Sequence, residues 1–378
     1  MSQPPRQIMG YPHLSRLRLS QFRNYAHAAL DLDGRHVVLT GPNGAGKTNL
    51  LEAISLLAPG RGLRRAPFET LANQAGDSGW AVATTVEGPE GPVDIGTGMS
   101  PGDSSRRVRI NGANARTIEE MSAYLRVIWL TPAMDGLFTG PAGDRRRFLD
   151  TLVTTLVPGH TATVSAFDTA MRQRNRLLSE PADPLWLDAI EAQMAEAAAA
   201  LHFARTDAVG HLQDLLDRSL PDDAFPSAHL ALTPLLPESA PEQSSALETV
   251  LRSLWRSDRD RDRAAGRTLV GPHRIDLEVV HAQKSMPAAL GSTGEQKAML
   301  IGLVLAQARL VRSMSGLAPL LLLDEVAAHL DPGRRAQLFL AIDALGSQCF
   351  MTGTDAILFE ALGERAEHVH VEGGRLRR

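Results

Sequence analysis

Leu14, Leu17 and Leu19 set the first apolar pattern of the chain, and HVVLT (36–40) follows as a short apolar run ending in glycines. The reading is strand, strand, loop, then a helix in which Leu50, Leu51, Ile54 and Leu57 recur at helical spacing. Between residues 80 and 130, WAVATTV, RRVRI and LRVIWL read as short strands with Gly, Pro and Asn turns between them. The period then changes. RRRFLDTLV, FDTAMRQRNRLLSE and the long WLDAIEAQMAEAAAALHFARTDAVGHLQDLL all carry helical periodicity, and the alanine run 197–200 reads only as helix-favouring. Prolines at 221–241 mark a loop, and the sign-alternating SDRDRDRAAGR (257–267) reads as a solvated helix end or linker. After Thr268 strands and helices return: RTLVGPH, a helix from about Gly294, PLLLLDE as a buried strand, a helix from Pro332, and QCFMTGT as a strand.

That order predicts an α/β domain interrupted by a helical block, an insertion rather than two beads on a string. The expected division is a head of residues 1–143 and 265–378 around a mixed sheet, with a mainly helical arm of residues 144–264 between its halves. A chain of 378 residues, 43% hydrophobic and 22% charged, has room for both. With 39 basic residues against 43 acidic, nucleic-acid or membrane contact must come from a local patch. The single cysteine, Cys349, excludes an internal disulfide framework and, beside Phe350 and Met351, reads as a buried strand position in a cytoplasmic protein. MSQPPRQIMG has no apolar core for a secretory signal, and Arg309, Arg312 and Pro319 break the most apolar stretch, so no membrane span is expected.

Three segments carry chemistry. Gly41-Pro42-Asn43-Gly44-Ala45-Gly46-Lys47-Thr48 has the form G-x-x-x-x-G-K-T between a predicted strand and helix. Its backbone N–H groups and helix N-terminus suit phosphates, Lys47 suits the β and γ phosphates of ATP, and the Thr48 hydroxyl suits Mg2+. LLLLDE (320–325) has the form of a Walker B strand, with Asp324 as metal ligand and Glu325 to orient or deprotonate the attacking water. Ser292-Thr293-Gly294-Glu295-Gln296 reads locally as a capping box before an apolar helix. It also has the shape of an ABC-type signature, whose serine and helix N-terminus bind the γ-phosphate held by a second copy, so that two copies sandwich two ATP molecules.

Together these segments make the chain resemble the RecF family, recombination mediators in the SMC/Rad50-like branch of the ABC ATPases. LRLSQFRNYAHAALDL, GPNGAGKTNLLEAI, RVRINGANAR, VIWLTP, TGPAGDRRRFLD, TLVGPHRIDL, STGEQKAMLIGLVLAQ and LLLLDEVAAHLD carry the resemblance, from about residue 14 to 355. The chain departs from the family pattern at Ile275, at Glu295 in place of glutamine, and in AMDGLF after Pro132. Thr352-Gly353-Thr354 stands where transporters carry a switch histidine.

The resemblance implies an ATP-driven homodimer that clamps gapped or junction duplex DNA and releases it by slow hydrolysis, a weak DNA-dependent ATPase of ABC type. It also implies action with RecO and RecR to help RecA onto single-stranded gaps. Carried over by residue, Arg23 and Asn24 contact phosphate beside the P-loop and Asp331 is the acid that faces the partner across the dimer. For DNA the candidates are Arg61, Arg64 and Arg65, then Arg106, Arg107 and Arg109, and then Arg145 to Arg147, with RQRNR (172–176) on the arm facing DNA or a partner. Two other classes remain open at this stage. One is the ATPase subunit of a transporter, against which the threonines and the 244-residue separation of Thr48 from Ser292 both argue. The other is an ATP-binding DNA module without significant turnover.

Overall fold

A computed structural model describes residues 11–73, 79–180, 183–218 and 225–378. The N-terminal MSQPPRQIMG and part of the proline-rich 221–241 segment lie outside them. The chain divides into two compact units. The first carries the chain to Asp135 and again from Leu300 to Arg378, and the second comprises Gly136–Ser219 and Pro226–Met299. Both boundaries expected from the sequence, at 144 and 264, fall inside the second unit. It takes in the helix Ala142–Leu156 from its start, and it takes in the strand Leu277–His281, which pairs with Ala228–Leu232.

Two sheets build the first unit. One has the strand order Arg375–Arg377, Ala366–Glu372, His36–Thr40, Cys349–Gly353, Leu320–Leu323, Val127–Leu130, and every pairing but the first is parallel. Its central strands HVVLT, CFMTG and LLLL are mostly apolar and buried almost throughout because a parallel sheet is covered on both faces. The other sheet is antiparallel, in the order Tyr25–Asp31, His13–Phe22, Trp80–Gly88, Gly91–Met99, Arg107–Ile110, Ala113–Asn114. Here Leu17 and Leu19 point inward and Arg16 and Arg18 outward, the alternation of a half-wet sheet. Leu17, Leu19, Val82, Ile95, Val37, Leu39, Leu50, Ile54, Leu320 and Phe350 join one core, which fixes the helix Lys47–Ser55 among the strands.

GPVDIGTGM is a nine-residue strand, although its glycines and proline read as turn chemistry. Gly98 explains part of the composition, since a Cβ there would lie 2.5 Å from the Trp80 carbonyl oxygen. RTLVGPH, conversely, is no strand; the ladder begins at Leu277. Side chains take the backbone groups a strand would pair: Asp262 accepts from Leu269 N–H, Trp255 Nε1 donates to the Val270 carbonyl, and His273 Nε2 meets the Thr268 carbonyl.

The second unit packs the helices His160–Ser179, Pro184–Asp217 and Ser244–Ser257 around Phe167, Met194, Leu201, Leu251 and Trp255. Ala195, Ala198 and Ala199 are fully buried in that core, so the alanine run carries packing: small side chains let neighbouring helices approach. The helix Thr293–Ser315 is long and apolar enough to cross a membrane by composition, yet 67% of its apolar window is buried within the protein. Cys349 is fully buried on its strand, as the sequence indicated, and burial pushes its thiol well up.

SDRDRDRAAGR forms a helix end and a short helix, Arg259–Ala265, exposed along most of its length but not throughout. Its Asp262 is buried and accepts from Arg174, at 2.6 Å. Arg174, expected to face DNA or a partner, has no exposed surface at all. Its guanidinium also donates to Glu191, Thr268 and the Trp255 carbonyl, and Arg259 closes the network on Glu191 and Asp188. Arg174→Ala leaves the buried Asp262 without its cation and Glu191 with Arg259 alone, and we expect a loss of about 3–5 kcal/mol in urea unfolding.

Candidate nucleotide site

The P-loop takes its shape from glycine. Gly41 has φ +143° and Gly46 φ +119°; a Cβ at Gly41 would come within 2.1 Å of the Val371 carbonyl oxygen. At Gly46 a Cβ would meet the Asn24 amide at 2.5 Å and the Tyr25 hydroxyl at 2.9 Å. Gly44 also has positive φ, and Ala45 is buried. Lys47 opens the helix and donates to the carbonyls of Gly41 and Pro42, at 2.7 and 2.9 Å, spanning the loop it serves. Its burial pulls the ammonium's pKa down, and Glu325 and Asp324 pull the other way, so both acids of the Walker B segment act on it electrostatically.

Thr48 and Asp324 lie together. The Thr48 hydroxyl donates to the two carboxylate oxygens at 3.0 and 3.1 Å, across 276 positions of sequence. A hydroxyl beside one buried carboxylate fits Mg2+, which takes few protein ligands and completes its shell with phosphate and water. Among the described residues no three His, Cys, Asp or Glu side chains cluster as a metal site. Glu325 follows in a left-handed conformation, φ 55°, which costs a glutamate roughly 1–2 kcal/mol. Glu325 is half-buried and follows directly on Asp324.

Sequence reading left Thr352 without a role. It stands on the neighbouring parallel strand, buried, donating to Asp324 at 2.7 Å and accepting from the Glu325 N–H at 2.9 Å. Tyr25 was also missed as a site residue, although it ends the FRNY segment that carries the resemblance. Its buried hydroxyl donates to the Gly46 carbonyl at 3.0 Å, and burial pushes its pKa up.

Arg23 and Asn24 support the loop. Asn24 donates to the Ala45 carbonyl at 2.9 Å and accepts from Asn49. Arg23 holds the buried Glu52 in a two-pronged contact, 2.8 Å on each oxygen. The signature residues belong to the second unit. Ser292 and Gly294 are exposed, and the capping box is formed: Glu295 accepts from the Ser292 N–H at 2.8 Å and from its hydroxyl at 2.9 Å. Lys284 pairs with the other Glu295 oxygen, and together these contacts pull that carboxyl down to about 2. Gln296 fastens the turn to the Gly291 carbonyl. Asp331 is exposed and caps the helix Pro332–Leu345 through the Arg334 N–H, which lowers its pKa.

The arginine candidates separate sharply. Arg61, Arg65, Arg107 and Arg109 are exposed, with Arg107 paired to Asp103. Arg64 is exposed but shares Glu52 with Arg23. Arg106 is not a DNA contact: it is buried and caps the Leu56 and Ala58 carbonyls that end the P-loop helix, at 2.6 and 2.9 Å. Burial lowers its pKa to about 10. Arg145 is likewise committed, gripping Asp276 at 2.8 and 2.7 Å and donating to the Gly140 carbonyl. Arg146 bonds the Ile275 carbonyl and Arg147 pairs with Asp144.

This sheet, loop and acid arrangement defines a P-loop ATPase head of the SMC class. Residues 13–375 match the RecF/RecN/SMC N terminal domain. Within that class the chain belongs to the RecF family. It is 56% identical to the DNA replication and repair protein RecF of Rhizobium meliloti (strain 1021), over 97% of this chain and 99% of that one. Identity to the RecF of Agrobacterium fabrum (strain C58 / ATCC 33970) is also 56%, over 96% and 97%. The fold matches a solved RecF-ATPrS structure of the RecFOR pathway with a TM-score of 0.85 at 20% identity, over 97% of this chain and 98% of that one. It matches the Smc head domain from Pyrococcus furiosus with a TM-score of 0.53 at 16% identity, over 97% and 95%. Family membership sets aside the transporter alternative.

Arg106 and Arg107 are neighbours in sequence with opposite fates. Arg106→Ala should cost about 2–3 kcal/mol in denaturant unfolding, since two buried carbonyls lose a charged donor. Arg107→Ala should stay within about 0.5 kcal/mol of the parent.

Proposed function

We propose that this protein is an ATP-dependent DNA-repair mediator that works as a dimer closed by nucleotide. The observation that carries the reading is the convergence of Lys47, Thr48 and Asp324 at one end of the parallel sheet. Related solved structures described as RecF-ATP and RecF-ATPrS support ATP as the ligand. Gly41, Pro42, Asn43, Gly44, Ala45 and Gly46 wrap the phosphates, Lys47 meets the β and γ groups, and Thr48 with Asp324 hold Mg2+. The bound ion supplies charge neutralisation on the phosphates. Glu325 accepts the proton of, or orients, the water that attacks the γ-phosphate.

Ser292 and Gly294 are exposed at a helix N-terminus suited to the γ-phosphate of a second copy, with Glu295 and the buried Gln296 holding the turn, and the exposed Asp331 is suited to face that copy. A dimer assembled in this way clamps gapped or junction duplex DNA, and slow hydrolysis releases it. The exposed arginines Arg61, Arg64, Arg65, Arg107 and Arg109 are the candidates for phosphate contact. The names of the relatives support a role in replication and repair, and the description of a solved structure of like fold as a recombination mediator in the RecFOR pathway supports the mediator reading. In that reading the protein acts with RecO and RecR to help RecA onto single-stranded gaps.

The test separates binding from assembly. Lys47→Met should abolish ATP binding in a fluorescent-nucleotide titration. Ser292→Ala should bind ATP within about threefold of the parent yet fail to dimerise in analytical ultracentrifugation, the signature of a group used only in trans. A Ser292→Ala protein that dimerises normally with ATP removes the sandwich.

A further inference from the structure

Thr352 is the last residue but one of the strand Cys349–Gly353, whose neighbours are His36–Thr40, the strand before the P-loop, and Leu320–Leu323, the strand before Asp324. Its register partner is Leu39 on one side, and Met351 beside it pairs with Leu323 on the other. The side chain is 1% exposed. A threonine hydroxyl has one hydrogen to donate and two lone pairs to accept with. Here the hydrogen goes to Asp324 Oδ1 at 2.7 Å, and a lone pair takes the Glu325 N–H at 2.9 Å. Both consecutive acids of the Walker B segment thus depend on one hydroxyl.

The dependence differs for the two acids. Asp324 receives the Thr48 hydroxyl on the same carboxylate, so Thr352 and Thr48 together fix the plane in which its oxygens face the P-loop. Glu325 is held through its backbone. Its amide must find an acceptor while the residue stays left-handed at φ 55°, and the Thr352 oxygen is that acceptor. No aliphatic side chain of the same shape supplies either bond, and serine supplies both.

We propose that Thr352 is a positioning residue for the nucleotide reaction: its hydroxyl sets the metal-binding carboxylate of Asp324 and the strained backbone of Glu325 in one register. The assignment rests on the ATPase reading above and deepens it. Thr352 acts through the two acids it contacts, coupling the one that holds the metal to the one that handles water.

The experiment compares Thr352→Val, Thr352→Ala and Thr352→Ser with the parent, each first checked for a parental melting transition. Two readouts are taken on the full chain: affinity for a fluorescent ATP analogue as Mg2+ is titrated, and kcat and KM for ATP with duplex DNA present. The expected result is metal-free nucleotide affinity within about twofold of the parent in all three. In the valine and alanine variants half-saturating Mg2+ rises severalfold and kcat falls about tenfold or more with little change in KM, the scale of a lost hydrogen bond to a charged group. Serine restores both.

A folded valine or alanine variant with the parental Mg2+ response overturns the proposal. So does a loss that serine does not restore, because it would assign the effect to packing of the methyl group. If valine does not fold, alanine carries the same decision. Should the parent itself show no turnover, the hydrolysis reading fails. The Mg2+ dependence of binding still decides the role of Thr352.

Discussion

The contact between the Thr48 hydroxyl and the Asp324 carboxylate joins residues 276 positions apart, and most of the first unit can be understood as what it takes to make it. Parallel strands place successive loops at the same edge of a sheet, and ligands gather outside their carboxyl ends. His36–Thr40 delivers the P-loop there, Leu320–Leu323 delivers Asp324 and Glu325, and Cys349–Gly353 lies between them in register and delivers Thr352. The apolar runs HVVLT and LLLL and the buried Cys349, Phe350 and Met351 cover this edge's foundation on both faces. Asn24, Tyr25 and Arg23 then brace the loop from the antiparallel sheet, by way of Ala45, Gly46 and Glu52.

Arginine does two kinds of work in this chain, and composition conceals the difference. Only three of 39 basic residues are lysine. With so many guanidinium groups available, several have become structural: Arg106 on two helix-end carbonyls, Arg145 on Asp276, Arg174 on Glu191 and Asp262, and Arg205 on Asp150. Each uses the planar fork on carbonyls or carboxylates, a geometry an ammonium does not match. The surface charge available to a phosphate backbone is therefore smaller than the clusters in the sequence suggest.

The chemistry was legible because it is local. A G-x-x-x-x-G-K-T loop needs its residues adjacent, a Walker B strand writes its four leucines and two acids consecutively, and a capping box spans four positions. All three lie on the elements expected for them. What the sequence hid depends on tertiary neighbours. Gly91–Met99 reads as turns until the carbonyl of Trp80 shows why Gly98 must be small. Asp262 and Arg174 look solvated in their charge-rich segments until the helices bring them together. Thr352 carries no signal of its own, since a threonine on a buried strand is ordinary and only two distances reveal what it holds.

The account stands or falls on two copies closing over ATP. Sedimentation velocity of the Glu325→Gln variant with a labelled gapped duplex, with and without ATP, measures that closure directly, because slowing hydrolysis preserves the closed state. The account predicts a two-subunit complex on DNA only when ATP is present. A protein that stays monomeric and off DNA in both conditions contradicts it.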